Sequence, residues 1–171
     1  NIDVTSNLSM KNTILNAKNT NNIAVGGAGT FNNAYLNIPN ANAQFGSLKT
    51  TNTVVNLQNN NAHNTINVTG NYDVSGDNLY YVDFDPTTGS YDRIHAGGAM
   101  TGSEDAYVMV NSNLVNKGDV AKGYQVYDVF SANGGISGVK FGLEGDTAYS
   151  TALANYQMQN LGNGKYAFKR T

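Results

Sequence analysis

Ile23-Ala24-Val25, Leu36-Asn37-Ile38, Val55-Asn56-Leu57 and Ile66-Asn67-Val68 are short triplets in which two apolar residues flank a small or polar one. A period of two is the signature of a β-strand. The ends of successive triplets lie 13, 19 and 11 residues apart, and Phe45 with Leu48 fills the middle gap. A short strand therefore recurs about every ten residues. No ten-residue window carries an i, i+3, i+4 apolar stripe, so the chain reads as all-β.

Strands at this spacing suit either an antiparallel sandwich or a parallel β-solenoid whose coil uses about two of them. Turn chemistry separates the two. Two-residue hairpins favour Asn-Gly or Asp-Gly, because a type I′ turn needs positive φ at both central residues. Residues 1–72 hold 20 of the 28 asparagines but no Asn-Gly pair. A solenoid never reverses strand direction, and its corners accept Asn, which tolerates the left-handed conformation and stacks in ladders from coil to coil. The expected fold is thus a parallel β-solenoid. Asn133-Gly134 and Asn163-Gly164 are the only Asn-Gly pairs. The first lies between the runs Tyr124 to Phe130 and Val139 to Leu143, the second between Tyr156-Gln157-Met158 and Tyr166-Ala167-Phe168. Both predict hairpins, and a solenoid needs such a cap because its last coil leaves open strand edges and bare core.

The remaining composition narrows the function. The 171 residues suit one domain with a sizeable core. A net charge of −2 argues against nucleic acid or anionic membrane as partner, since both call for a dense basic face. Without Cys there is no disulfide framework, thiolate metal site or Cys nucleophile. No apolar run is long enough to span a membrane, and Asn1 opens a polar stretch, so the chain reads as a soluble, mature or excised fragment. Residues 1–72 contain only four charges, Asp3, Lys11, Lys18 and Lys49, against 18 in the remainder. The chain divides by composition into Asn-rich coils over 1–78 and last coils plus cap over 79–171, continuous with one another.

The succession Asn64-Thr65-Ile66-Asn67-Val68-Thr69-Gly70, Leu79-Tyr80-Tyr81-Val82-Asp83-Phe84 and Tyr91-Asp92-Arg93-Ile94-His95-Ala96-Gly97-Gly98-Ala99-Met100-Thr101-Gly102 resembles the C-terminal end of autotransporter passenger domains. Val108-Met109-Val110-Asn111, Gly123 to Val129, Phe141-Gly142-Leu143, Tyr149 to Met158 and Tyr166-Ala167-Phe168 follow in that family's order. The resemblance covers about residues 64–171; residues 1–63 match in style only. It implies a right-handed parallel β-helix with a C-terminal hairpin cap, often called the autochaperone, which promotes passenger folding at the outer membrane of a Gram-negative bacterium. Many members place a Trp near the end; this chain has none. Tyr166 and Phe168 would take its packing role.

On this reading the folding core and cap comprise Tyr81, Phe84, Ile94, Val108, Val110, Val126, Val129, Phe141, Leu143, Tyr156, Tyr166 and Phe168. The expected function is non-enzymatic: to nucleate and seal a secreted passenger at the bacterial surface. Expected partners are upstream coils of the same chain, its own translocating β-barrel in passing, and a host-cell or self-association partner, with no cofactor. The alternative is an adhesion or self-association module acting through the β-helix faces.

Residues with chemical potential have plainer readings. His63 lies in the corner Asn61-Ala62-His63-Asn64, and His95 is expected on a solvent-facing strand position. Neither belongs to a Gly-x-Ser-x-Gly or Gly-Asp-Ser-Gly signature. Asp83 and Asp85 share a face by alternation, with Phe84 opposite, but Asp85-Pro86-Thr87-Thr88-Gly89 reads as a turn rather than a metal site. The pairs Gly26-Gly27, Gly97-Gly98 and Gly134-Gly135 precede no helix and read as corners or bulges rather than phosphate cradles. A polysaccharide lyase would need acids and bases along one face, and residues 1–72 offer too few charges. Of the eleven Tyr, half or more are expected to pack in the cap.

Overall fold

Each apolar triplet falls in or at the end of a strand whose edges pair with the matching strand of the neighbouring coil and whose inward side chains join one core inside the stack. The computed structural model describes residues 1–116, 126–146 and 156–170. Among them are seventeen strands and no α-helix. Six make a first parallel ladder in the order β1 (Ile2–Val4), β4 (Asn22–Asn32), β6 (Asn42–Thr51), β8 (Thr65–Val68), β11 (Arg93–Ala96) and β13 (Val126–Ala132). The far halves of β4 and β6 continue a second ladder. It starts at β2 (Leu8–Lys11) and passes through β9 (Tyr72–Asp85) and β12 (Met100–Leu114) to β14 (Ile136–Ser137). A third ladder runs through β3 (Ile14–Asn16), β5 (Tyr35–Asn37), β7 (Val54–Asn56), the ends of β9 and β12, and β15 (Lys140–Gly145). The result is a large, mostly parallel, solenoid-like sheet, as the turn chemistry predicts.

Register turns sequence alternation into a stacked core. Ile2, Ile23, Ala43, Ile66, Ile94 and Phe130 form one column of the first ladder, and Leu15, Leu36, Val55, Tyr80, Val110 and Leu143 the facing column of the third. Within the first column, partners are separated in sequence by 21, 20, 23, 28 and 36 residues. Coils therefore lengthen toward the C-terminal end. The border proposed at residue 78 falls inside β9, whose pairing with β12 continues from Asp77 through Leu79 without a shift.

Corners follow from residue type. Asn12, Asn33 and Asn52 have φ of 53°, 50° and 46°, and each begins the turn from the second ladder to the third. The left-handed conformation costs an ordinary L-residue about 1–2 kcal/mol, which Asn reduces through local hydrogen bonding. At the next coil the position is Gly76, φ 64°, where a Cβ would collide with the Asn52 side chain. On the corner between first and second ladders glycines stack, with Gly70, Gly98 and Gly134 each donating a backbone N–H at 2.8 Å to the carbonyl of Gly46, Gly70 and Gly98 in turn.

The two Asn-Gly pairs behave differently. At the C-terminal end β16 (Tyr156–Gly162) and β17 (Lys165–Arg170) form an antiparallel hairpin whose turn residues Asn163 and Gly164 both have positive φ, 52° and 71°. Asn133-Gly134 makes no hairpin, correcting the expectation. Only the following Gly135 has positive φ, the turn continues the coil, and β13 and β15 each pair in parallel with an earlier strand. The Asp85 to Gly89 turn is present: β10 (Ser90–Tyr91) folds back antiparallel on the end of β9. Thr87 donates its backbone N–H to Asp85 Oδ1 at 2.8 Å, and Gly89 to the Asp85 carbonyl at 2.9 Å.

Candidate functional site

Two regions stand out from the repeating wall. The first is the C-terminal end. Strand β17 pairs antiparallel with β13, so the open edge of the first ladder is taken by a strand of opposite direction. Beneath it, aromatic rings continue the core out of the parallel coils into the hairpin. Tyr80 and Phe130 meet edge to face with centroids 5.3 Å apart, Phe130 and Phe141 lie at 5.0 Å, and Phe141 and Tyr166 at 4.2 Å. Such pairs add about 0.5–1.5 kcal/mol each beyond the area they bury. Asp128 accepts the Tyr91 hydroxyl proton in a hydrogen bond and lies 3.8 Å from Lys165 Nζ, linking β10, β13 and the hairpin. Burial first, and then the Asp128 carboxylate, push the Tyr91 phenol up to about 12.

Of the residues expected in core and cap, Phe84, Ile94, Val108, Val110 and Val129 are buried. Phe141, Leu143 and Tyr166 are half-buried and pack against the core. Tyr81 is half-buried on the outward face, in register with Asn56 and Asn111; the ring inside is its neighbour Tyr80. Val126, Tyr156 and Phe168 fall in β13, β16 and β17, but their side chains lie outside the described part, as do Tyr124 and Gln125 and residues 149–155.

Two polar clusters brace the core. Thr50 Oγ1 and the Tyr72 hydroxyl lie 2.7 Å apart, and the hydroxyls of Tyr72 and Tyr80 2.6 Å apart, a fully buried chain crossing from the second ladder to the third. Burial pushes Tyr72 up to about 12 and Tyr80 well above its ordinary value. Asp92 is the other brace. Its carboxylate accepts the backbone N–H of Asn64 at 2.9 Å and of Asp83 at 2.7 Å. Burial pushes its pKa up to about 8; the two donors oppose that shift and the Asp83 carboxylate adds to it. Asp83 in turn accepts from the Asn59 backbone N–H and the Asn113 amide, and Asp85 from Thr87 and Asn116. The suspected Asp83 and Asp85 pair is thus engaged with amide donors, and the described residues contain no cluster of metal-binding groups. His63 is exposed in its corner, and His95 Nδ1 lies 2.7 Å from Ser131 Oγ on the outer face of the next coil.

The second region went unnoticed in the sequence, although its signal is there. Asn12-Thr13-Ile14-Leu15-Asn16, Asn33-Ala34-Tyr35-Leu36-Asn37 and Asn52-Thr53-Val54-Val55-Asn56 are three versions of one five-residue unit. In each, the first Asn takes the left-handed corner, the fourth residue points into the core, and the third and fifth point outward. The fifth residues form an amide ladder: Asn56 Nδ2 donates to Asn37 Oδ1 and Asn37 Nδ2 to Asn16 Oδ1, both at 3.0 Å. Asn33 Nδ2 donates to Asn12 Oδ1 at 2.8 Å on the other side. On the corner side of the unit, Ile14, Tyr35 and Val54 together with Asn12, Asn33 and Asn52 line an open groove of about 340 Å³.

Comparison of the chain with family models, with curated proteins and with solved structures finds no match.

Proposed function

We propose that the coils form a right-handed parallel β-helix closed by the β16–β17 hairpin. On this reading the chain is the non-enzymatic folding nucleus and cap of a secreted, autotransporter-type passenger at the bacterial surface. The observation that carries the proposal is the change from parallel to antiparallel pairing at β13 and β17 over a continuous run of rings from Tyr80 to Tyr166. A solenoid's stability is roughly a sum of nearest-neighbour terms, so an end coil lacks part of its stabilisation unless something different covers it. A covered, aromatic end gives earlier coils a formed template on which to add. The coil beginning at β1 to β3 would then receive upstream coils of the same passenger, and contact with a translocating β-barrel would be brief. Occupation of the buried carboxylates by backbone and amide donors favours a structural over a catalytic role.

Deletion tests this directly. Removing residues 155–171 uncovers Phe141 and Leu143, at about 1.5–3 kcal/mol for each large apolar side chain exposed, and frees the edge of β13. Removing residues 1–17 trims one coil and leaves an end much like the old one. The C-terminal deletion is expected to unfold or aggregate and, in a displayed passenger, to leave it protease-sensitive. Equal and mild effects of both deletions would refute the capping role. A second reading, adhesion through a lateral face, draws support from the outward apolar residues between the amide rows.

A further inference from the structure

The three ladders differ on their outer faces. In the first the outward column reads Asp3, Ala24, Gln44, Asn67, His95, Ser131, and in the second Ser9, Thr30, Lys49, Asp73, Thr101, Ser137. In the third it reads Ile14, Tyr35, Val54, Leu79, Met109 and then Gly142, over which the Tyr107 ring lies. Polar residues would serve an outer face at least as well, yet the outward column of the third ladder carries five consecutive apolar side chains, of which Tyr35, Val54, Leu79 and Met109 are half-buried. Ile14 is 71% exposed.

We propose that this face binds a neutral polysaccharide laid along the coil stack, the apolar column contacting the C–H faces of the sugar rings and the flanking amides their hydroxyls. The proposal rests on the adhesive reading above and is independent of the capping role. Three features select this ligand class. The face carries no charge through its first three coils, residues 12–16, 33–37 and 52–56, which disfavours nucleic acid, acidic glycans and charged lipid headgroups. In the ladder the Asn37 and Asn56 amide nitrogens each use one proton on the neighbouring amide and carry a second, and a sugar hydroxyl both donates and accepts, as an amide does.

Width favours a single strand. At about 3.3 Å per residue, the face from corner to amide ladder is about 13 Å across. A face of that width, with the Tyr35 ring in its second coil and the Tyr107 ring over Gly142, fits a single polymer strand.

Affinity electrophoresis of the 171-residue chain through gels containing dextran, mannan or xyloglucan tests the proposal, with heparin and polygalacturonate as charged controls. At least one neutral polymer is expected to retard the chain and the acidic ones not. Tyr35→Ser, an outward change that leaves the core intact, should weaken retention about tenfold or more, whereas Val54→Tyr, which adds a second ring beside Tyr35, should strengthen it. Gln44→Ser on the first ladder should change nothing, and circular dichroism of each variant confirms the fold. Three outcomes overturn the proposal: no retardation by any neutral polymer, retention unaltered by Tyr35→Ser, or self-association in sedimentation that Tyr35→Ser abolishes.

Discussion

Phe31 and Phe130 make a matched pair for locating the folding nucleus. Both are buried, at 1% and 0% exposure, and both meet another ring edge to face, Phe31 with Phe45 at 5.9 Å and Phe130 with Tyr80 at 5.3 Å. Truncation to Ala should cost each about 3–5 kcal/mol at equilibrium, a large part of a domain's usual 5–15 kcal/mol. Phe31 lies on β4 in the second coil, whereas Phe130 lies on β13 beneath the hairpin. If folding starts at the aromatic end, Phe130 contacts are largely made in the transition state and those of Phe31 are not. Taking φ-values of about 0.6 and 0.1 and a loss of about 3 kcal/mol, Phe130→Ala should slow refolding about twentyfold, and Phe31→Ala less than about twofold. With eleven Tyr and no Trp, stopped-flow tyrosine fluorescence reads this out. A refolding rate reduced as much or more by Phe31→Ala than by Phe130→Ala would refute nucleation at the C-terminal end.

Burial holds the folded-state Asp92 pKa near 8, above its ordinary 3.8, so the folded state binds a proton that the unfolded state releases, and stability should fall as pH rises from about 4 to about 8. Asp92→Asn should flatten that part of a plot of urea midpoint against pH. Tyr72, held near 12 against an unfolded value of 10.0, makes the protein lose stability as pH climbs through that interval, and Tyr72→Phe should lessen the loss, as alkaline melting curves would show. Asn33→Ala should cost about 1–2 kcal/mol at its φ of 50° while Asn33→Gly costs less, a ranking that thermal denaturation checks. Native-state hydrogen exchange should protect Val108 to Leu114 and Val129 to Ala132 longer than Ile14 to Asn16, the short third-ladder strand of the first coil.

Strand periodicity and corner chemistry were readable because they belong to single residues or neighbours. The alternation in Ile66-Asn67-Val68 fixes which side is buried, and Asn12, Asn33 and Asn52 supply left-handed corners wherever the coil needs them. What sequence could not carry was partner choice. Asn163-Gly164 and Asn133-Gly134 are identical dipeptides, yet only the first adopts the paired positive φ of a hairpin, because β13 and β15 find better partners in preceding coils. Asp92 was opaque for a similar reason, since the backbone donors it satisfies are 28 and 9 residues away. Tyr80 and Tyr81 show the cost of an error of one position. Alternation requires one ring inside and one outside, and the core column through Val55 and Val110 takes Tyr80. The outer groove escaped because its signal, Asn-x-apolar-apolar-Asn, repeats at the coil length rather than at the strand period.

Coil lengthening ties the two regions together. Successive coils grow from 21 to 36 residues, and part of the addition forms the antiparallel excursion of β10 against β9. Beyond the last coil, β17 runs antiparallel along β13 and Tyr166 packs on Phe141. The early coils, at 20 to 23 residues, hold parallel strands and their connections with no antiparallel excursion. Their inward positions are committed to the stack and their corner Asn and Gly to the backbone, which leaves the outward positions of the short strands as the ones that can change at little cost to folding. Where Ile14, Tyr35 and Val54 stand at such positions, neither core packing nor corner geometry accounts for them, and the proposed polysaccharide contact would.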